Sequence, residues 1–338
     1  MKKVSIVILN YNGKGYLEQF LPALIQHSTP HEIVVADNAS TDDSVELLNN
    51  SFPQVRLIAL DKNYGYAGGY NEALRLIDSE YLVLVNSDIE VTPGWVEPLI
   101  DKLDSNQNIV ACQPKIRAFH NKEYFEYAGA AGGFIDWLGY PFCRGRILDN
   151  LEKDDGQYDS DIDIFWASGA CFAIRKEVFH AAGEFDSGFF AHMEEIDLCW
   201  RIQNLGYKIS FCHESLVYHV GGGTLSSNNP RKTYLNFRNG LYLLVKNLPF
   251  GKLIFTLPVR SFLDLVAAIK FLADGNGKHS LSVFKAHWHA AIPGIKYFMN
   301  KAKNRRNNTK LISQKLIVFQ YFLRKKKKYS DINFKWEL

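Results

Sequence analysis

An aspartate stands at the end of an apolar run. Tyr81-Leu82-Val83-Leu84-Val85 leads directly into Asn86-Ser87-Asp88. A short apolar run of this kind reads as a buried strand. A carboxylate at the C-terminal edge of a sheet can hold a hard divalent cation through oxygen. Such a cation neutralises the charge that develops on a diphosphate leaving group. The same three residues would also serve as a turn that caps the next segment. Three further apolar runs end in polar residues, at Asn10-Tyr11-Asn12, Asp37-Asn38 and Asp61-Lys62-Asn63. Four such ends on one sheet edge favour a ligand site over unrelated turns. A second acidic group, Glu194-Glu195 and Asp197, precedes Arg201. Acids gather at helix N-termini because the macrodipole favours them, and Asp197 and Arg201 have the spacing of a helical ion pair.

Those strand ends are positioned by an alternation of strands and helices. Strands are expected over 4–9, 32–36, 55–60 and 81–85, with helices over 13–26 and 67–77. A third helix, running to about residue 50, has capping-box spacing at Ser40 and Asp43. Strands alternating with helices predict βαβ units and a parallel, doubly wound α/β sheet. Its ligand would lie where the strand C-termini open out. Further on, a helix over 95–103 precedes a strand over 109–112. Residues 115–160 read as an irregular loop over the site. A strand-like stretch over 164–174 surrounds Trp166-Ala167-Ser168-Gly169. A helix over 194–205 stops at Gly206, and a strand over 210–220 runs into Gly221-Gly222-Gly223. Helices over 234–247 and 262–273 close the pattern.

In combination the motifs resemble the family 2 glycosyltransferases, in their bacterial rhamnosyltransferase-like branch. The resemblance rests on residues 4–12, 34–42, 63–71 and 86–88, and it covers about residues 3–245. It implies a GT-A fold, a doubly wound, mixed but mostly parallel α/β sheet flanked by helices, with a helical C-terminal extension. It also implies sugar transfer with inversion from a nucleoside-diphosphate donor, assisted by Mg or Mn. The family's Asp-x-Asp metal motif is here Asn86-Ser87-Asp88, which leaves Asp88 as the surer ligand. A histidine at the place of His219 completes the metal site in such enzymes, although a lone histidine can equally be structural. By the same resemblance Asn10, Tyr11 and Asp37 form the base pocket, with Asp37 accepting from a pyrimidine N3–H. Asn38 and Asn63 line the nucleoside, while Gly65, Gly68 and Gly69 admit it closely. The stretch from Phe189 to Arg201 is similar to the family's Glu-Asp-x-Asp segment. Its second acid, here Glu195, would be the base that takes the acceptor hydroxyl's proton, with Glu194 and Asp197 beside it. Trp166, Ser168 and Gly169 would border donor sugar and acceptor, Trp166 being a core residue on the other reading. Arg231, Lys232 and Arg238 would contact diphosphate or form a solvated basic face.

The 338 residues allow one large domain or a domain with an appendage, and 47% hydrophobic content excludes global disorder. A catalytic domain over 1–225 and a helical, basic region over 226–338 are expected. Net charge is +3, but residues 301–338 carry +10 and the first 300 carry −7. A basic, apolar, aromatic tail suits peripheral contact with an anionic membrane, where a lipid-linked or cell-envelope glycan acceptor would lie. No nucleic-acid motif is present. The N-terminus lacks a signal peptide and no apolar run is long enough to span a bilayer, so a cytoplasmic protein is expected. The five cysteines have no CxxC spacing and read as reduced thiols, neither a zinc site nor a disulfide framework. The leading donors are dTDP- and UDP-sugars, dTDP-rhamnose first. Two rivals are a sugar nucleotidyltransferase, whose phosphate loop would be Asn10 to Gly15, and a non-catalytic nucleotide- or glycan-binding protein.

Overall fold

Val4, Ile6 and Ile8 of the first strand pack into one apolar cluster and Val7 into another. A strand apolar on both sides belongs inside a sheet covered on both faces. The computed structural model describes residues 2–221, 229–300, 309 and 311–336. In it β1 (Lys2–Asn10) is followed by α1 (Lys14–His27), β2 (Glu32–Asp37), α2 (Ser44–Ser51), β3 (Arg56–Ala59), α3 (Gly65–Arg75) and β4 (Ser79–Asn86). The parallel order is β3-β2-β1-β4. Leu17, Leu21 and Leu24 of α1 share a cluster with Val4, Ile6 and Ile8. Ala67, Tyr70 and Leu74 of α3 lie in the cluster of Val7. Opposite faces are therefore covered, and the β1 and β4 ends sit side by side.

The chain continues through β5 (Ile89–Val91), α4 (Glu97–Ser105) and β6 (Ile109–Ala118). Four short strands follow: β7 (Gly133–Asp136), β8 (Pro141–Cys143), β9 (Arg146–Ile147) and β10 (Asn150–Leu151). Then come β11 (Ile162–Ile164), β12 (Cys171–Arg175), α5 (Lys176–Ala181), α6 (Glu194–Asn204) and β13 (Lys208–His219). The main sheet extends from β4 through β12, β6 and β13 to β11, with β5 on β13. Around antiparallel β12 the sheet becomes mixed.

After α7 (Pro230–Asn247), α8 (Phe250–Ala273) and α9 (Gly277–Asn300) come β14 (Ile312–Ser313) and α10 (Ile317–Phe322). β14 pairs in parallel with β7 and completes a second sheet, β10-β9-β8-β7-β14. Phe134 and Phe142 stack there with Tyr329, Phe334 and Trp336, at centroid distances from 4.7 to 5.8 Å. No helix among the described residues is long and apolar enough to cross a membrane.

Several expectations change. Residues 115–160 are not one irregular loop, because they hold the end of β6 and four strands of the second sheet. Strands of two to four residues are too short to show a period. The stretch over 164–174 is two strands separated by the 165–170 loop. The capping box at Ser40 and Asp43 does not form. Ser40 Oγ instead donates to Asp37 (2.6 Å), and Asp42 accepts from the Ser44 amide (3.1 Å) at the start of α2. In the tail, Ile312 and Ile317 are core residues, so part of the apolar stretch assigned to the membrane is used inside the protein. Lys301, Lys303, Arg305, Arg306 and Lys310 lie outside the described residues, as do Gly222 and Gly223.

Candidate functional site

Strand register brings the first group together. Asn10 pairs with Asp37 across β1 and β2, and Leu9 pairs with Asn86 across β1 and β4. Asn10 Nδ2 donates to Asp37 Oδ1 (3.0 Å), while Asn10 Oδ1 is buried without a partner. Asp37 also accepts from the Ser40 amide through Oδ2 (2.9 Å). An ionised carboxylate oxygen offers two lone pairs, so Oδ2 keeps one for a further donor. Tyr11 stands half exposed at the rim, and Ser87, half-buried at the neighbouring strand end, lies by Gly13, where an added Cβ would be 3.5 Å from its Oγ. Asn38 is engaged by the protein: its Nδ2 donates to Asn63 Oδ1 (3.1 Å) and Gly65 O (3.0 Å). Asn63 Oδ1 also accepts from the Gly65 amide (2.8 Å). Gly65 has φ +72°, a left-handed value that glycine adopts without strain. The other two glycines serve helix packing. A Cβ on Gly69 would lie 2.8 Å from Leu9 and one on Gly68 3.0 Å from Tyr64.

The second group forms where the turn after β4 meets the end of β13. His219 pairs with Ile89, and the Val220 amide donates to Asp88 O (3.1 Å). His219 Nε2 lies 3.2 Å from Asp88 Oδ1. That is the distance of an ion pair, and it also matches the separation of about 3 Å between two neighbouring ligands of one octahedral ion, each at about 2.1 Å. Behind the ring, Glu126 Oε2 lies 3.3 Å from His219 Nδ1, outside hydrogen-bond geometry, and that nitrogen is buried without another partner. Burial opposes charge on His219, yet Glu126 and Asp88 together raise its pKa to about 10. Burial would raise Asp88, but His219 holds it below its ordinary value. Among the described residues no three metal-ligating side chains cluster. If Asp88 and His219 held a cation, two side chains would leave room for substrate phosphates, the usual way Mg²⁺ is bound.

The third group is the start of α6. Phe190, His192 and Met193 all have positive φ without being glycine (66°, 70° and 74°). Such a backbone persists only when its surroundings hold it. Asn239 of α7 does so, donating to the carbonyls of Phe189, Ala191 and His192 at 3.1, 2.8 and 2.7 Å. Arg238 donates to Phe189 O (2.8 Å) and lies over Tyr234 and Tyr242. Glu194 and Glu195 follow this loop, and each has a buried Oε2 with no partner. Burial raises Glu195 to about 7, and burial with the neighbouring Glu195 raises Glu194 well above the usual range. His192 is held neutral, its pKa lowered to about 4 by burial. Across from Glu195 is Gly169, where an added Cβ would lie 3.8 Å from Glu195 Cβ and 2.9 Å from Tyr66 Oη. Tyr66 Oη donates to Gly169 O (2.6 Å), joining α3 to this place.

Four expected site residues have other work in the structure. Both oxygens of Asp197 are taken, by Arg201 (2.8 Å), Lys246 (2.7 Å) and Asn247 (2.8 Å), so it braces α6 against α7. Trp166 is a core residue whose indole donates to Phe134 O (2.9 Å), so its ring does not border a sugar. Ser168 is buried, its Oγ donating to Ala128 O. Arg238 donates through Nη2 to Gly188 O (3.2 Å) and Phe189 O (2.8 Å), so it also holds the 188–190 loop. Conversely, Glu126, Asn239 and Tyr66 were not singled out from sequence. Glu126 lies within the stretch read as loop, Tyr66 stands inside the 63–71 motif without a role of its own, and no motif marks Asn239.

Residues 5–183 match the model of glycosyl transferase family 2. N-acetylglucosaminyl-diphospho-decaprenol L-rhamnosyltransferase of Mycobacterium tuberculosis is 25% identical over 232 residues, covering 64% of this chain and 75% of that protein. GalNAc-T7 with UDP, GalNAc and Mn²⁺ superposes with a TM-score of 0.57 at 19% identity, covering 73% of this chain and 48% of that one. The Pyrobaculum calidifontis mannosyltransferase with GDP-Man and Mn²⁺ gives a TM-score of 0.53 at 15% identity, covering 86% and 87%. The fold is thus the GT-A fold, and the matched residues span more than half of the chain and include Asp37, Asn86 and Asp88: the chain belongs to glycosyl transferase family 2.

Proposed function

We propose that the protein transfers a sugar, with inversion, from a pyrimidine nucleoside-diphosphate donor to a hydroxyl of a lipid-linked or cell-envelope glycan. One observation carries this reading. Glu195 Oε2 is buried and unpartnered, burial raises its pKa to about 7, and Gly169, tied by Tyr66, lies across from it. A base works best when its pKa lies near the operating pH. The acceptor oxygen bonds to the anomeric carbon as the bond from that carbon to the diphosphate oxygen breaks. The hydroxyl proton passes to Glu195, and the nucleoside diphosphate departs. Mg²⁺ or Mn²⁺ bound by Asp88 and His219 would neutralise charge on the departing diphosphate.

The remaining lone pair of Asp37 Oδ2 suits an imide N3–H, which favours uridine or thymidine. Asn10, Tyr11, Asn38, Asn63, Asn86 and Ser87 would frame the nucleotide. The rhamnosyltransferase relative supports rhamnose as the sugar and a polyprenyl-diphosphate acceptor, and the Mn²⁺ of both structural neighbours supports the cation. We take residues 1–225 as the catalytic part and 226–338 as the part that braces it through Asn239 and β14 and orients it on the inner face of a membrane. The nucleotidyltransferase reading loses support at Lys14, whose ammonium is paired with Asp43 (3.0 Å).

The test is a donor screen on the full chain with a polyprenyl-diphosphate sugar acceptor. dTDP-rhamnose or a UDP-sugar should release nucleoside diphosphate in Mn²⁺ or Mg²⁺, and chelator should stop it. Pyrophosphate release from a nucleoside triphosphate and sugar phosphate would establish the nucleotidyltransferase instead. Nucleotide binding without any turnover would leave a binding protein.

A further inference from the structure

α8 is amphipathic in the reverse sense. Its buried face carries the ion pair Arg260–Asp264 (2.8 Å), with Arg260 also donating to Leu138 O (2.9 Å) and Asp264 held by His287 (3.0 Å). Its outward face is hydrocarbon. Ile254, Phe255, Phe262, Val266, Ile269 and Leu272 are all exposed, Phe255 by 75% and Phe262 and Leu272 by 64%. At 3.6 residues per turn these six fall within one half of the helix. The only charged residues exposed on α8 are Lys252 and Lys270, both cations, five turns apart along one edge of that face. α9 runs back beside α8 and exposes Leu281, Phe284 and Trp288 at helical spacing, Trp288 by 74%, with Lys278 and Lys285 among them.

We propose that the outward face of the α8–α9 hairpin docks in the surface of an anionic bilayer. A helix with an apolar face, cations at its edge and too little hydropathy to span lies in the plane of the interface. An exposed tryptophan is the side chain that anchors at headgroup depth. Charge decides between lipid and a second copy. A two-fold contact between two such faces would set Lys252, Lys270 and Lys285 against the same cations. The sole exposed acid on the hairpin, Asp274, is already held by Lys270 (2.5 Å). Anionic headgroups complement that charge, each basic residue near the surface contributing to attraction that salt screens.

The surface also connects to the site. Tyr234 Oη meets His289 Nδ1 of α9 (2.8 Å) and Tyr242 Oη donates to His289 O (3.1 Å), while Asn239 of the same helix α7 clamps the loop before Glu194. A docked hairpin would therefore fix the orientation of the α6 end of the site toward the bilayer. The docking does not depend on the transferase reading.

Co-sedimentation of the full chain with vesicles tests it. The wild type should pellet with equimolar phosphatidylcholine–phosphatidylglycerol vesicles at low salt and not with phosphatidylcholine alone. Joint replacement Phe255→Ser, Phe262→Ser and Ile269→Ser should lower the bound-to-free ratio about tenfold or more, with an unchanged thermal midpoint. Trp288→Phe should remove quenching of tryptophan emission by brominated lipid. Neutralising the exposed tail cations (Arg324→Gln, Lys325→Gln, Lys327→Gln, Lys328→Gln) should leave pelleting in place. If the triple variant pellets like wild type, or the tail variant alone is lost from vesicles, the hairpin is not the anchor. If the wild type ignores vesicles and the triple variant turns a dimer into a monomer, the face pairs with a second copy. Nucleotide release, measured separately, reports on the transferase reading whatever the vesicles show.

Discussion

Glu195 can take a proton only while ionised, so its environment fixes the pH dependence of turnover. Burial raises its pKa to about 7. Below that value it is protonated and idle, and kcat should fall about tenfold per pH unit as acidity increases. Glu195→Gln keeps the shape and removes the base. We expect a rate loss of roughly 10²–10⁴-fold with nucleotide affinity retained. If Glu194→Gln is the inactive variant and Glu195→Gln turns over, the base is the neighbouring carboxylate. Asp88→Ala should abolish metal-stimulated turnover while leaving the chain folded, and chelator-resistant activity in that variant would remove the cation from the mechanism. These residues were legible because each stands in a motif that a single sequence displays. Glu126 was not: it reaches His219 only through the fold, 93 residues earlier in the chain. Trp166 and Asp197 show the opposite error. A tryptophan in a small-residue loop and an acid in an acidic cluster look functional, and only partners such as Phe134 O and Lys246 reveal their structural use.

At the scale of elements, the parallel half of the sheet followed from its alternation of apolar runs and helices, and α6 and α7 lie near their expected places. α8 was only half legible, since its expected start at residue 262 lies twelve residues inside the helix. Its polar face is buried, which inverts the usual reading of amphipathicity. That burial predicts a cost. Asp264→Ala would leave the Arg260 guanidinium buried beneath α8 with its carboxylate gone, a change that typically costs about 3–5 kcal/mol. Thermal unfolding of the variant should show the loss. Joint replacement Arg260→Met and Asp264→Leu, which removes both charges, should recover much of it. Equal stability of Asp264→Ala and wild type would mean that Leu138 O and Tyr140 suffice to hold Arg260.

At the scale of the whole molecule, the basic tail looked like an appendage and is instead partly structural. Tyr329, Phe334 and Trp336 cover Phe134 and Phe142, and β14 supplies the last strand of the second sheet. Truncation after residue 308 should therefore lower the thermal midpoint and expose aromatic surface, seen as dye binding. A truncated chain as stable as the full one would show that the second sheet closes without it. No local signal announces this pairing, because two-residue strands carry no period and the partners are distant in sequence. The distance has a consequence for synthesis. Ile135 leaves the ribosome 177 residues before Ile312, its partner across the sheet. At about 5–20 residues per second the nascent chain waits roughly 10–35 s with that edge and its aromatic face uncovered. For that interval the half-made protein presents a sticky strand to the cell, and a chaperone or the chain's own later segments must guard it until translation delivers the closing strand.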